Sequence, residues 1–354
     1  MNLFNSKTVL SFDFATKEIK VVEGKYSKKG VVVNNSFSVS VPKDIYNDGI
    51  IHDIEHLTYL LGQALNANNV TLGQAYGVIN STKIIIREIM VPKVDDKEVD
   101  SILHYQLEDF IPVNVEEYVV NYLNLGPILY EGLDKIKLMI ICVPKTIVEP
   151  HLNLFKNLGL KPVILDYRGN SIRKLLMTNS QINGTNEITG SIATIDFGYD
   201  ASAITVIDGD VLKVSRLIEV GWKYLIEFLN HLFPELNEDE LYSRTKALND
   251  IKEDSEPNDD ECKIINGVKL YINDVLPDFE MIFRYYSARE VGNDVDLIVL
   301  LGGFYNIAGI DNIFTKFFNK PTIRLEYLDR VKFEGKLFRY ANAIGGLIRL
   351  DEVK

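Results

Sequence analysis

Cysteine is scarce in this chain: 354 residues carry two, Cys142 and Cys262, far apart in sequence. That leaves no disulfide framework and no paired zinc-binding spacing, as expected of a protein kept in a reducing cytoplasm. Cys142 lies in the apolar run KLMIICVP and reads as a buried thiol; Cys262 falls in an acidic stretch. Long apolar runs are also missing. No segment approaches the ~20 apolar residues of a membrane span. The N-terminal MNLFNSKTVLSFDF lacks the apolar core and small-residue cleavage site of a signal peptide. The C-terminal GGLIRLDEVK is too short and too acidic for an amphipathic anchor. Positive charge is in the minority, 38 Lys and Arg against 50 Asp and Glu, for a net charge of −12, which argues against a nucleic-acid phosphate track. What is present is a globular composition, 46% hydrophobic and 25% charged, in a chain long enough for two domains with separate cores.

The two halves open alike. VLSFDFATKEIKVVEGK, from Val9 to Lys25, reads as strand, turn and strand, and GVVVNNSFSVSVP follows as a third strand. ATIDFGYDASAITVIDGD, from Ala193 to Asp210, repeats this pattern and is followed by VLKVSRLI after an Asp-Gly turn. Asp13 and Asp196 stand close to half the chain apart, which points to a duplicated domain. The polar, breaker-rich segment Thr178–Gly190 reads as the crossover between the halves. Elsewhere helices and strands alternate. IEHLTYLLGQALNANN, DKEVDSILHYQLEDFIP and KTIVEPHLNLFKNLG read as helices; AYGVINSTKIIIREIMVP reads as a strand pair, and EEYVVNYLNLG and IKLMIICVP as strands. Asn249–Lys263 reads as a solvated acidic loop.

A turn rich in Gly, Thr and Ser points backbone N–H groups into a concavity that suits phosphate oxygens. A carboxylate just before such a turn can hold a hydrated Mg²⁺, which keeps most of its waters and takes few protein ligands. Asp13 and Asp196 are therefore the candidate metal ligands, with Thr16 and Gly198 in the two turns and Lys20 in reach of a phosphate. DLIVLLGGFYNIAGIDNIF supplies a third element, a buried strand ending in Gly302-Gly303, where a nucleoside could approach the backbone closely. Gly345-Gly346, in ANAIGGLIRL, fits tight helix packing as well as a binding loop. His52-Asp53-Ile54-Glu55-His56 matches a zinc-protease pattern, although two histidines at a helix start can simply face solvent.

Asp-hairpin, Asp-hairpin, strand-Gly-Gly and Ala-x-Gly-Gly, in this order, resemble the actin and sugar-kinase superfamily. Within it the chain is similar to the PilM family of actin-like cytoplasmic proteins of type IV pilus assembly. The resemblance covers nearly the whole chain and rests above all on HYQLEDFIPVNVEEYVVNYLNLG and KLMIICVPKTIVEPHLNLFKNLGLKPVILD. The division protein FtsA is similar in layout but usually carries a C-terminal membrane helix. The resemblance implies an α/β, actin-like (ribonuclease H-like, duplicated) two-domain fold with an inserted subdomain of the FtsA and PilM type. The expected boundaries are 1–93 and 163–180 for the first core, 94–162 for the insert, 190–219 and 293–354 for the second core, and 220–292 for a helical subdomain over the cleft.

ATP and Mg²⁺ are the implied cofactors, with Asp13, Thr16, Lys20, Asp196, Gly198, Lys246, Gly302 and Gly303 at the nucleotide. Several family positions are altered: Ala15 stands for a glycine, Trp222 for the second glycine of a pair, Ile226 for a threonine, Ser243 for a glutamate and Phe304 for a third glycine. Added bulk at backbone-contact positions predicts weak or absent ATP binding, negligible hydrolysis and no catalytic residue. The implied function is then that of an adaptor, held beside the inner membrane by the N-terminal peptide of a PilN-like protein and linked to the pilus motor. Phe110, Ile111, Pro112 and Tyr122 are its candidate peptide-binding residues. The alternatives are an actin-like ATPase, a filament-forming division-type protein and a small-molecule kinase.

Overall fold

A computed structural model of the chain describes residues 8–111, 114–248, 259–303 and 309–350. The chain opens with an antiparallel meander, β1 (Val9–Asp13), β2 (Glu18–Ser27) and β3 (Gly30–Ser40). All five residues of β1 are buried, because a central strand covered by helices on both faces reads as a continuous apolar run. Helix α1 (Ile54–Ala67) buries Leu57, Leu61 and Leu65, spaced at four residues along one stripe, and β4 (Gln74–Ile79) then lies parallel to β1.

The chain now leaves this sheet. β5 (Ile85–Pro92), α2 (Asp96–Phe110), β6 (Tyr118–Tyr130) and β7 (Leu133–Pro144) form a separate subdomain whose sheet runs β5-β7-β6. Glu131 and Gly132, both at positive φ, close the β6–β7 hairpin in two residues, as a primed turn requires. Val99, Leu103, Leu107 and Ile111 cover Leu138 and Ile140 of this sheet.

Helix α3 (Lys145–Asn157) returns to the first core, where Ile147, Leu154 and Phe155 pack with the α1 leucines. The insert thus spans 85–144 rather than 94–162. β4 and β5, expected as one strand pair, belong to different sheets. β8 (Lys161–Tyr167) adds to β4 in parallel, and α4 (Arg168–Met177) follows without a loop.

The second half repeats the plan with β9 (Ser191–Phe197), β10 (Ser202–Asp208) and β11 (Val211–Ile218). Helices α5 (Trp222–Leu232), α6 (Glu238–Leu248) and α7 (Asp259–Ser287) precede β12 (Leu297–Gly302), α8 (Ile310–Phe318) and β13 (Thr322–Arg324). Residues 259–263, expected in the acidic loop, open α7: Asp259, Asp260 and Glu261 sit in its first turn, where carboxylates favour the helix dipole.

The first sheet contains the order β3-β2-β1-β4-β8, and the second runs β11-β10-β9-β12-β13, the same topology twice. The C-terminal stretch does not stay with the second core as expected. β14 (Val331–Lys332) pairs in parallel with β3, and α9 (Leu337–Gly346) lies beside α4 between the two sheets. Ion pairs fasten the insert to the end of α7: Arg289 to Glu88, and Lys137 to Glu290 at 2.9 Å.

Candidate functional site

The carboxyl ends of β1, β8, β9 and β12 meet at one rim, where open α/β sheets place their ligands. β1 ends on Asp13, wholly buried, and β9 carries Asp196, 8% exposed. β8 runs straight into α4, so Arg168, the first residue of the helix, projects into the same space. Its Nε donates to Asp13 Oδ1 at 2.9 Å and its Nη2 to the Phe14 carbonyl oxygen at 3.1 Å; Nη1 lies 3.8 Å from Asp196 Oδ2. Burial alone would weaken the guanidinium as a cation, but the Asp13 and Asp196 carboxylates more than offset this and hold its pKa above the ordinary value. Asn342 of α9 donates to Asp196 Oδ2 at 2.8 Å, and Lys20 Nζ stands 3.7 Å from Asp13 Oδ2.

The expected residues converge here. Lys20, Asp196, Gly198, Lys246, Gly302 and Gly303 line a cleft of ≈ 110 Å³, with Ala15 and Trp222 beside them and Asp13 behind. Thr16 closes its mouth by donating to Asp200 of the opposite hairpin, and Lys17 Nζ sits 4.9 Å over the Tyr199 ring. Gly302 has φ +86°, which an L side chain rarely adopts, and a Cβ at Gly303 would collide with the Trp222 indole. Tyr199, Trp222 and Tyr242 form an edge-to-face aromatic wall. Trp222 is 5% exposed and occupies the side of the cleft next to the paired glycines. Glu18 is held below the usual carboxylate range: burial opposes this, but Lys20, Ser38, Arg339 and Lys246 together prevail. Ile226 is buried in the second core and Ser243 is exposed; Phe304 lies outside the described residues.

Asp13 and Asp196 do not fit a hydrated divalent ion while Arg168 stands between them. One Asp13 oxygen and one Asp196 oxygen already accept from protein donors. Two unit charges 4 Å apart repel by about 4 kcal/mol at an effective dielectric of 20, and a divalent ion beside the guanidinium would meet about twice that. Among the described residues no three His, Cys, Asp or Glu side chains converge as a metal site. The His52–His56 pattern is not built as a zinc site: His52 precedes α1, and Asp53 between them is the N-cap, accepting from the His56 backbone N–H at 2.9 Å. Histidines of a zinc-binding helix must share one helical face.

A second concavity, ≈ 610 Å³, lies in the insert between α2 and β6. Leu103, Tyr105 and Leu107 form one wall and Tyr118, Val120 and Tyr122 the other, with Asp100 and Glu116 among the lining residues. Tyr122 thus reaches this groove. Ile111 does not: it is 2% exposed and packs in the core of the insert. Phe110 is half-buried against the same core, and Pro112 lies outside the described residues.

A family model described as "Type IV pilus assembly protein PilM" matches residues 11–339. The chain belongs to the PilM family. Its fold is similar to that of a chain from a "PilM-PilN type IV pilus biogenesis complex", with TM-score 0.78 and 16% identity, covering 96% of this chain and 99% of that one. It is also similar to the ethanolamine utilization protein EutJ from Carboxydothermus hydrogenoformans, at TM-score 0.56, 14% identity and coverages of 98% and 91%. MreB5 of Spiroplasma citri, solved bound to ADP, gives TM-score 0.52, 13% identity and coverages of 96% and 94%. At these identities the structures establish the actin-like fold, and the family match establishes the place in type IV pilus assembly. Among the described residues no helix is long and apolar enough to cross a membrane.

Within this PilM-family frame, sequence reasoning missed Arg168. A signal was available: a cation in the first turn of a helix opposes the helix dipole and needs a compensating partner. It lay in LDYRGN, at the junction of β8 and α4.

Proposed function

We propose that this PilM-family protein is a non-catalytic adaptor that binds an extended peptide, the cytoplasmic N-terminal segment of a PilN-like inner-membrane protein, in the groove between α2 and β6. The observation that carries this reading is the pairing of an apolar groove with an open strand edge. β6 pairs with β7 on one side only among the described residues. An added peptide strand would gain main-chain hydrogen bonds along that edge, and alternate side chains would enter the space between Tyr118, Val120 and Tyr122 and the α2 leucines. Asp100 and Glu116 favour a peptide that also carries a basic residue. The adaptor would then sit on the cytoplasmic side of the inner membrane through its partner and pass contact to the pilus motor or platform. An internal arginine between the two cleft aspartates supports a structural rather than a hydrolytic use of the nucleotide fold.

The test is fluorescence polarisation with a labelled peptide copied from the N-terminus of the chain's own PilN-like partner. Tyr122→Ala removes a ring from the groove wall, and Glu116→Lys reverses an exposed charge. Each should weaken binding about tenfold or more, which is about 1.4 kcal/mol, with melting temperature unchanged. Full affinity in both folded variants would move the peptide elsewhere, and no binding by the parent chain would sink the adaptor reading.

A further inference from the structure

Six cationic side chains line the interdomain cleft among the described residues: Lys17, Lys20, Arg168, Lys246, Lys336 and Arg339. They face two lining carboxylates, Glu18 and Asp196, with Asp13 buried behind, in a chain of net charge −12. Arg339 is committed to Glu18 at 2.8 Å, and Arg168 to Asp13. The cleft is therefore locally positive inside an acidic protein, a field that concentrates anions. Its positive charge comes from side chains. We propose that Arg168 is the resident counter-ion of this cleft, set between Asp13 and Asp196 in place of a divalent metal, and that the cleft holds the phosphate groups of a di- or triphosphate ligand without metal.

Three features support this. The guanidinium is fixed by donors to Asp13 and to the Phe14 carbonyl, so it cannot swing aside without leaving a buried carboxylate alone. It cannot lose its proton, so the neutralisation is permanent at any ordinary pH. Lys246 and Lys20 reach the same cleft from opposite domains, as a polyphosphate bridging the two hairpins would require. The inference concerns a different site from the peptide groove, and either can fail alone.

Calorimetry and thermal melts on the full chain would use pyrophosphate and ADP as probes, first in EDTA and then in millimolar MgCl₂. Binding in EDTA should be at least as tight as in Mg²⁺, and Lys246→Gln should weaken it about tenfold without lowering the melting temperature. Mg²⁺ alone should leave the melting temperature of the parent chain unchanged but raise that of Arg168→Gln, whose carboxylates are freed. Binding that requires Mg²⁺, a melting temperature of the parent chain that rises with Mg²⁺ alone, or no binding of either probe would each overturn the proposal. Should Arg168→Gln fail to fold, the EDTA and Mg²⁺ comparison on the parent chain decides by itself.

Discussion

Arg168 Nε lies 2.9 Å from Asp13 Oδ1, at a point where the carboxylate has no access to solvent. A buried pair of this kind adds little over an apolar filling, but removing one partner leaves a charge without compensation. Arg168→Ala should therefore cost about 3–5 kcal/mol. Urea denaturation at unchanged slope is the measurement, and a loss below about 1 kcal/mol would mean that water reaches Asp13 after all.

Gly303→Ala places a methyl group against the Trp222 indole. Overpacking of this kind costs about 1–3 kcal/mol. Trp222 is the only tryptophan in the chain, so its fluorescence reports the site directly. The expected result is a lower melting temperature together with a shifted emission maximum; an unshifted spectrum would place the indole away from residue 303.

Arg289→Ala cuts a tie between the insert and the second core. Glu88 keeps Lys137 at 3.6 Å as a partner, so the loss should stay at about 1–2 kcal/mol. The effect should appear as faster amide exchange in residues 85–92 and 133–144, with the second-domain strands unaffected. Uniform acceleration across the chain would instead indicate global destabilisation.

His151 should make stability pH-dependent. Its ring is buried against Phe14 and Tyr46, and burial lowers its pKa from 6.5 to about 4, although the hydrogen bond between Nδ1 and the Ile147 carbonyl opposes the shift. Between these two values the unfolded chain binds the proton and the folded chain does not, so stability falls as pH drops through this window. The full loss approaches about 3 kcal/mol near pH 4 and is absent above pH 6.5. His151→Phe should flatten that component of the pH–stability curve. An unchanged slope would assign the acid sensitivity to other groups.

Local chemistry determined much of this protein in advance. The paired strand–Asp–turn–strand segments, the buried runs of β1, β9 and β12, and the α1 leucine stripe are written in residues that interact within a few positions of each other. Duplication, the actin-like topology and the convergence of Asp13, Asp196, Lys246 and Gly303 followed from them. Tertiary structure decided where the insert begins and ends, because α3 and the stretch before it are equally apolar and only packing against α1 assigns α3 to the first core. It also decided that Ile111 is core and Tyr122 is groove, since both are hydrophobic and the choice depends on which side of the insert sheet α2 covers. Above all it decided the chemistry of the cleft. Asp13 and Asp196 read as a metal pair as long as residues distant in sequence are left out, and Arg168 reaches Asp13 only because β8 is the second strand away from β1 in the same sheet. Charges act through space, so a sequence pattern can name the carboxylates but not the cation that the fold sets between them.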